Sequence, residues 1–258
     1  MSPGPQKDFC IGPLEFRLDG DSGFVRNIRF HGKEVLRGIY PAVRDRDWAT
    51  LRPNVERVSV ESTVDQLRVG IEARTVGTEM DLAWTAEIVA AATGQIKYTW
   101  HGLPRRACMT NRTGLCVLHP AEVAGAPCVV EHTDGRREAG WFPTQISPHQ
   151  PFHDIRALAH VVGDCSEVAV RLEGDVFEME DQRNWTDASF KIYSRPLAWA
   201  RPYRLEAGAE IEQSITMEIR GTWNPNEIAP VASQSGRISL PLPGIGFTLP
   251  GPIPSSLR

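Results

Sequence analysis

Apolar and polar residues alternate along most of this chain, and short turn signals separate the alternating runs. Alternation of period two puts one set of side chains on a buried face and the other in water, the mark of a half-buried strand. FVRNIRF and KEVLRGIY flank His31-Gly32, a spacing that predicts a tight hairpin with glycine at its turn. VERVSVE and LRVGIEAR flank a polar turn, with Leu67, Val69, Ile71 and Ala73 on one face. DLAWTAEIVAA and QIKYTWHG flank Thr93-Gly94, and Ile96, Tyr98 and Trp100 share a face. IEQSITMEI repeats the pattern through Ile211, Ile215, Met217 and Ile219. No segment holds a helical period beyond two turns. The reading is an all-β chain, a large antiparallel β-sandwich of two packed sheets. No fixed internal period points to a propeller or solenoid.

The pattern changes near the end. RISLPLPGIGFTLPGPIPSSLR starts at Arg237 and is too rich in proline to continue a central strand. The expected organisation is a β-sandwich domain over residues 1–236 and a proline-rich arm or linker over 237–258.

Composition then narrows the function classes. The 258 residues carry a net charge of −4, which speaks against a broad basic surface for nucleic acid. No apolar run is long enough for a membrane-spanning helix. MSPGPQKDF lacks the basic start and apolar core of a signal peptide, so a cytoplasmic location is expected. Five cysteines without C-x-x-C spacing fit reduced thiols better than a disulfide framework.

The chemistry-bearing residues gather in EMEDQRNWTDASFKIY, residues 178–193. Acids, a guanidinium, an amide and an indole in one short span are the usual parts of a sugar or sugar-acid site. If VFEMED is a strand, Asp181 ends an otherwise apolar face with Phe177 and Met179, and Glu178 and Glu180 lie opposite. Glu178 is expected to be solvated. Asp181 needs a donor such as Arg183, and suits a general acid or base. His119, at a strand end before Pro120, is expected to point into a cleft as a second base candidate. In RDRDW, read as a strand, Arg44 and Arg46 share a face and form a carboxylate clamp. His149 and His153 have i, i+4 spacing, but Pro148 and Pro151 speak against a helix there, so no metal and no cofactor is expected.

RNIRFHGKEVLRGIYPAVRDRDW, GLCVLHP, FPTQISPHQPF and EDQRNWTDASFKIY together resemble the amino-terminal portion of the D-apionate lactonase family. The resemblance spans about residues 24–220. It implies a supersandwich of the galactose-mutarotase kind and hydrolysis of D-apionolactone to D-apionate. It also implies a longer protein in which a barrel-like region follows. This chain is then an isolated β domain, or works with a separate catalytic domain or as a homo-oligomer through its arm. The expected partner is a small sugar acid or sugar lactone. On this reading His119 or Asp181 activates water, and Arg183 or Lys191 stabilises the oxyanion. Arg44, Arg46, Glu180, Asn184, Trp185 and Asp187 hold the substrate. Two other classes stay open: a non-catalytic carbohydrate-binding domain, and an aldose mutarotase or epimerase using His119 with Glu180 or Asp181.

Overall fold

Each alternating run becomes a strand because it has one face to bury and one to solvate. The computed structural model describes residues 6–163 and 166–222. The strands along these residues are β1 (Gln6–Ile11), β2 (Leu14–Asp19), β3 (Phe24–Phe30), β4 (Lys33–Asp45), β5 (Pro53–Ser62) and β6 (Gln66–Val76). Next come β7 (Asp81–Ala91), β8 (Ile96–Pro104), β9 (Cys108–Pro120), β10 (Pro127–His132), β11 (Arg137–Trp141) and β12 (Ile155–Val162). The last are β13 (Ser166–Glu173), β14 (Phe177–Asp181), β15 (Ser189–Ser194), β16 (Tyr203–Leu205) and β17 (Ile211–Thr222).

Every described pairing is antiparallel, and the ladder folds over into two layers. One layer runs β1-β2-β3-β4-β9-β15-β14, with β16 also on β9. The other runs β5-β6-β7-β8-β17-β13-β12-β10-β11. They are joined through a single pair, Ile155 opposite Phe177. The layers face each other. Tyr98 of β8 donates its hydroxyl to the Gly23 carbonyl at 2.9 Å, and Leu115 of β9 donates its amide to the Gln213 side chain of β17 at 2.7 Å. One continuous apolar core fills the space, with Leu14, Ile28 and Ile39 from one layer and Leu67, Trp100 and Met217 from the other. Each such side chain contributes about 1.5–3 kcal/mol by leaving water. The expected two-sheet sandwich is therefore the observed one.

The hairpin at His31-Gly32 forms as its sequence predicts. Both residues have positive φ, 49° and 75°, matching the twist of the flanking strands. Strand β9 sits at the centre of its layer and is buried along nearly its whole length. One of its faces meets the core. The other underlies Tyr40, Lys191 and Tyr193, which stand on the neighbouring strands.

The RDRDW reading is corrected. β4 ends at Asp45, whose carboxylate accepts the amides of Asp47 at 2.9 Å and Ala49 at 2.8 Å and turns the chain. Arg46 therefore leaves the face that carries Arg44 and pairs with Glu79 at 3.5 Å in an exposed position. Cys10, Cys108, Cys116 and Cys128 are free thiols. Cys165 and the proline-rich arm, 237–258, lie outside the described residues. No described helix is long and apolar enough to cross a membrane.

Candidate functional site

The β14–β15 hairpin has two faces, and its register divides the polar cluster between them. Asp181 lies opposite Phe190, and His119 lies on the other side of Phe190. Asp181, Phe190 and His119 thus share the core face with Met179 and Ile192. Glu180 lies opposite Lys191 and Glu178 opposite Tyr193, on the outer face. The four residues expected to work together, His119, Asp181, Arg183 and Lys191, do not converge.

On the core face the charges are matched. Asp181 receives Arg183 through two hydrogen bonds of 2.9 and 2.8 Å, and accepts the Ser147 amide at 2.9 Å. Arg183 also donates to the carbonyls of Pro143, Thr144 and Gln145. Burial pushes the Asp181 carboxyl up, but Arg183 and the Ser147 amide outweigh it and hold it below the usual carboxylate range. The pair fastens the loop at 142–154 to the sheet. Phe142 and Phe152 of that loop are buried against the core.

His119 is also corrected. It is fully buried, its Nδ1 lies 3.1 Å from Nε2 of His160, and the Phe142 ring packs at 5.5 Å. Burial, with His160 adding to it, lowers its pKa well below the usual imidazole value, so the ring stays neutral. Its Nε2 has no partner among the described residues. The two-sided burial of β9 hid this orientation from a reading based on alternation.

The outer face holds the opposite arrangement. Lys191 is 5% exposed, and no described residue makes a hydrogen bond to its ammonium, which lies 5.7 Å from the Tyr193 ring centre. Arg112 is likewise 5% exposed, and its guanidinium lies 3.9 Å over the same ring and 5.7 Å from Trp48. Among the described residues no carboxylate forms an ion pair with it, and its Nε is unsatisfied. Burial lowers the Lys191 pKa; Arg112 and Arg44 add to that shift, and Cys116 and Glu180 oppose it without cancelling it. Arg201 adds a further cation 5.9 Å from Trp48, bound only to backbone carbonyls. Buried charges are ordinarily paired, but the carboxylates nearest this cluster, Glu180 and Glu178, are hydrogen-bonded to other groups, so the cations lack a directly bonded anion among the described residues.

The remaining groups frame that cluster. Arg44 donates to the Trp48 carbonyl at 3.1 Å. Tyr40, paired with Cys116 across β4 and β9, stacks on Phe24 with ring centres 4.4 Å apart. Tyr40, Ala42 and Arg44 also line an open cavity of about 680 Å³, within the range of small-ligand clefts. Glu180 accepts the Trp185 indole N–H at 3.0 Å and the Gln182 amide at 3.2 Å. Trp185 is 68% exposed and offers a ring face at the rim. Asn184 and Asp187 are exposed on the turn that carries it. Glu178, expected in solvent, is 1% exposed. It accepts the Tyr193 hydroxyl and the Leu197 amide, both at 2.6 Å, and meets His153 Nδ1 at 3.2 Å.

Arg112, Tyr40, Trp48, Tyr193 and Arg201 were absent from the sequence reading. Arg112 stands among Thr110, Asn111 and Thr113, ahead of the apolar run that starts at Leu115, so the sequence does not mark it as buried. Nothing in the sequence marks Trp48, because its place depends on the turn that Asp45 makes.

The fold is shared with several solved structures, among them aldose epimerases. A putative aldose 1-epimerase from Escherichia coli K12 superposes with a TM-score of 0.52 at 12% identity, covering 84% of this chain and 99% of that one. The Slr1438 protein from Synechocystis sp. PCC 6803 gives 0.55 at 9% identity, covering 85% and 97%. An alpha-galactosidase from Lactobacillus brevis gives 0.54 at 9% identity, covering 84% of this chain and 39% of that one. At these identities the likeness concerns the fold alone. The sequence is more specific: residues 2–222 match the D-apionate lactonase N-terminal domain, and the chain belongs to that family. A D-apionate lactonase from Brucella anthropi is 39% identical over 239 residues. That match covers 90% of this chain and 39% of the relative, so the chain spans well under half of that protein's length.

Proposed function

We propose that the outer face of β4, β9, β15 and β14 binds a sugar lactone and the sugar acid formed from it, as the substrate-holding part of a D-apionate lactonase. The observation that carries this reading is the pair of buried, unpaired cations, Lys191 and Arg112, around the Tyr193 ring. A sugar carboxylate supplies the missing anion, and a lactone carbonyl presents an oxygen that becomes an anion during hydrolysis. Arg44 extends the positive field. Trp185 and Trp48 present ring faces to the sugar's C–H groups, with Glu180 beside Trp185 to accept hydroxyl protons.

The roles first expected of His119, Asp181 and Arg183 do not suit their positions, since all three are committed to the core face. Lys191 keeps its expected role at the carbonyl oxygen. The family match favours the lactonase reading over an epimerase, because the likeness to the epimerase is one of fold. A purely binding domain would use the same face for the same ligand.

Isothermal calorimetry tests the proposal. D-apionate should bind, and neutral D-apiose should bind at least tenfold more weakly, about 1.4 kcal/mol. Arg112→Leu should remove that preference. Equal affinity for the acid and the neutral sugar would refute an anion site.

A further inference from the structure

The lactone reading supplies an anion site but no base, because Asp181 and His119 face the core. The geometry points to His153, held by Glu178, as the general base that activates water for lactone opening. This inference rests on the lactone reading above.

Glu178 is anchored before it meets the histidine. Its Oε1 accepts the Tyr193 hydroxyl and the Leu197 amide, both at 2.6 Å, and its Oε2 lies 3.2 Å from His153 Nδ1. Three partners from three elements hold a carboxylate that is almost fully buried. The imidazole it meets is 59% exposed. A buried carboxylate on Nδ1 fixes the ring so that Nδ1 carries the proton and Nε2 is left as the acceptor. Nε2 makes no hydrogen bond to a described residue.

The dyad stands on the same face as the cations. Glu178 is opposite Tyr193, the ring that Arg112 and Lys191 both approach. Lys191 follows two residues before Tyr193 on β15, a step of about 6.5–7 Å along a strand. In the proposed complex the lactone has its carbonyl oxygen at Lys191 and its carbonyl carbon turned towards the His153 edge. Among the described residues, no other group on this face combines an exposed acceptor nitrogen with a buried orienting group. Glu180, the other carboxylate there, is occupied by Trp185 and Gln182.

The chemistry balances with water alone. His153 Nε2 takes a proton from water as the water oxygen bonds to the lactone carbonyl carbon. The carbonyl oxygen becomes an oxyanion beside Lys191. The ring C–O bond then breaks, the leaving ring oxygen takes the proton from His153, and the product is the open hydroxy acid. The imidazole ends as it began. Glu178 is a positioning residue in this scheme: it sets the tautomer and steadies the transient imidazolium.

The test is hydrolysis of D-apionolactone by the full chain, with D-apionate binding measured in parallel. His153→Ala should lower kcat at least a hundredfold, within the usual range for a general base, and leave D-apionate affinity within twofold. Added imidazole should restore a good part of the lost rate, which a structural role would not allow. Glu178→Gln should lower kcat with little change in KM. If His153→Ala keeps full turnover, the dyad is refuted while the anion site stands. If the unaltered chain binds D-apionate but does not hydrolyse the lactone, the base is not here and the inference falls alone. If D-apionate does not bind, both readings fall together.

Discussion

The two faces of the β14–β15 hairpin carry similar residue types and do opposite things with them. On the core side, Asp181 and Arg183 satisfy each other and fasten a loop. On the outer side, Lys191 and Arg112 are buried too, yet among the described residues neither is hydrogen-bonded to a carboxylate, and the nearest one, Glu180 opposite Lys191, is bonded to Trp185 and Gln182. A matched buried pair holds structure, and an unmatched one holds a place for a ligand. Burial alone does not distinguish them, and neither does residue type. What distinguishes them is whether the partner belongs to the same chain.

The largest expected effect lies on the matched side. Asp181→Ala strands the Arg183 guanidinium and frees the loop, and should cost about 3–5 kcal/mol, read as a fall in Tm or in denaturant midpoint. Affinity for D-apionate, corrected for the folded fraction, should not change. A loss of affinity without a loss of stability would exchange the roles of the two faces.

The next effect is a pH dependence set by the core. Burial pushes His160 down from 6.5 to about 4. The unfolded chain therefore takes up a proton between those values and the folded chain resists it. Stability should be fully present above pH 6.5 and fall by roughly 3 kcal/mol by pH 4. Asp181 adds to the decline at the lowest pH, because its depressed carboxyl contributes stability above 3.8 that fades as pH falls through its folded value. His160→Phe should make the stretch between pH 6.5 and 4 clearly shallower in a urea titration series, the remaining slope coming from His119, which burial also holds neutral. An unchanged slope would place the titrating group elsewhere.

The smallest effect belongs to the rim. Trp185→Ala removes an exposed ring face and should weaken D-apionate binding by about threefold, roughly 0.6 kcal/mol, with no change in Tm. A tenfold loss would move the centre of the site from the cations to the rim.

The sandwich was legible because its signal is local. Leu67, Val69 and Ile71 alternate with polar neighbours, and His31-Gly32 announces its own turn. The site was legible only in part. The span 178–193 does hold buried polar side chains, Glu178, Asp181 and Lys191. Its division between two faces depends on pairing with β9, which is buried on both sides and so gives alternation nothing to report. Glu178 read as solvated because the groups that bury it, Leu197 and His153, come from distant loops. Arg46 was misplaced by carrying a strand through Asp45, although an aspartate whose carboxylate accepts the amide two residues on is a usual way to end one.

The account turns on Lys191 being held for a ligand at some cost to the free chain. Lys191→Met keeps the length of the side chain and removes the charge. Melting temperature and D-apionate affinity, measured on the same preparation, test the claim together. The predicted result is a Tm that stays level or rises, because an unpaired buried charge is gone, with affinity reduced at least tenfold. A fall in Tm with affinity unchanged would show that Lys191 serves the fold, and would contradict the account.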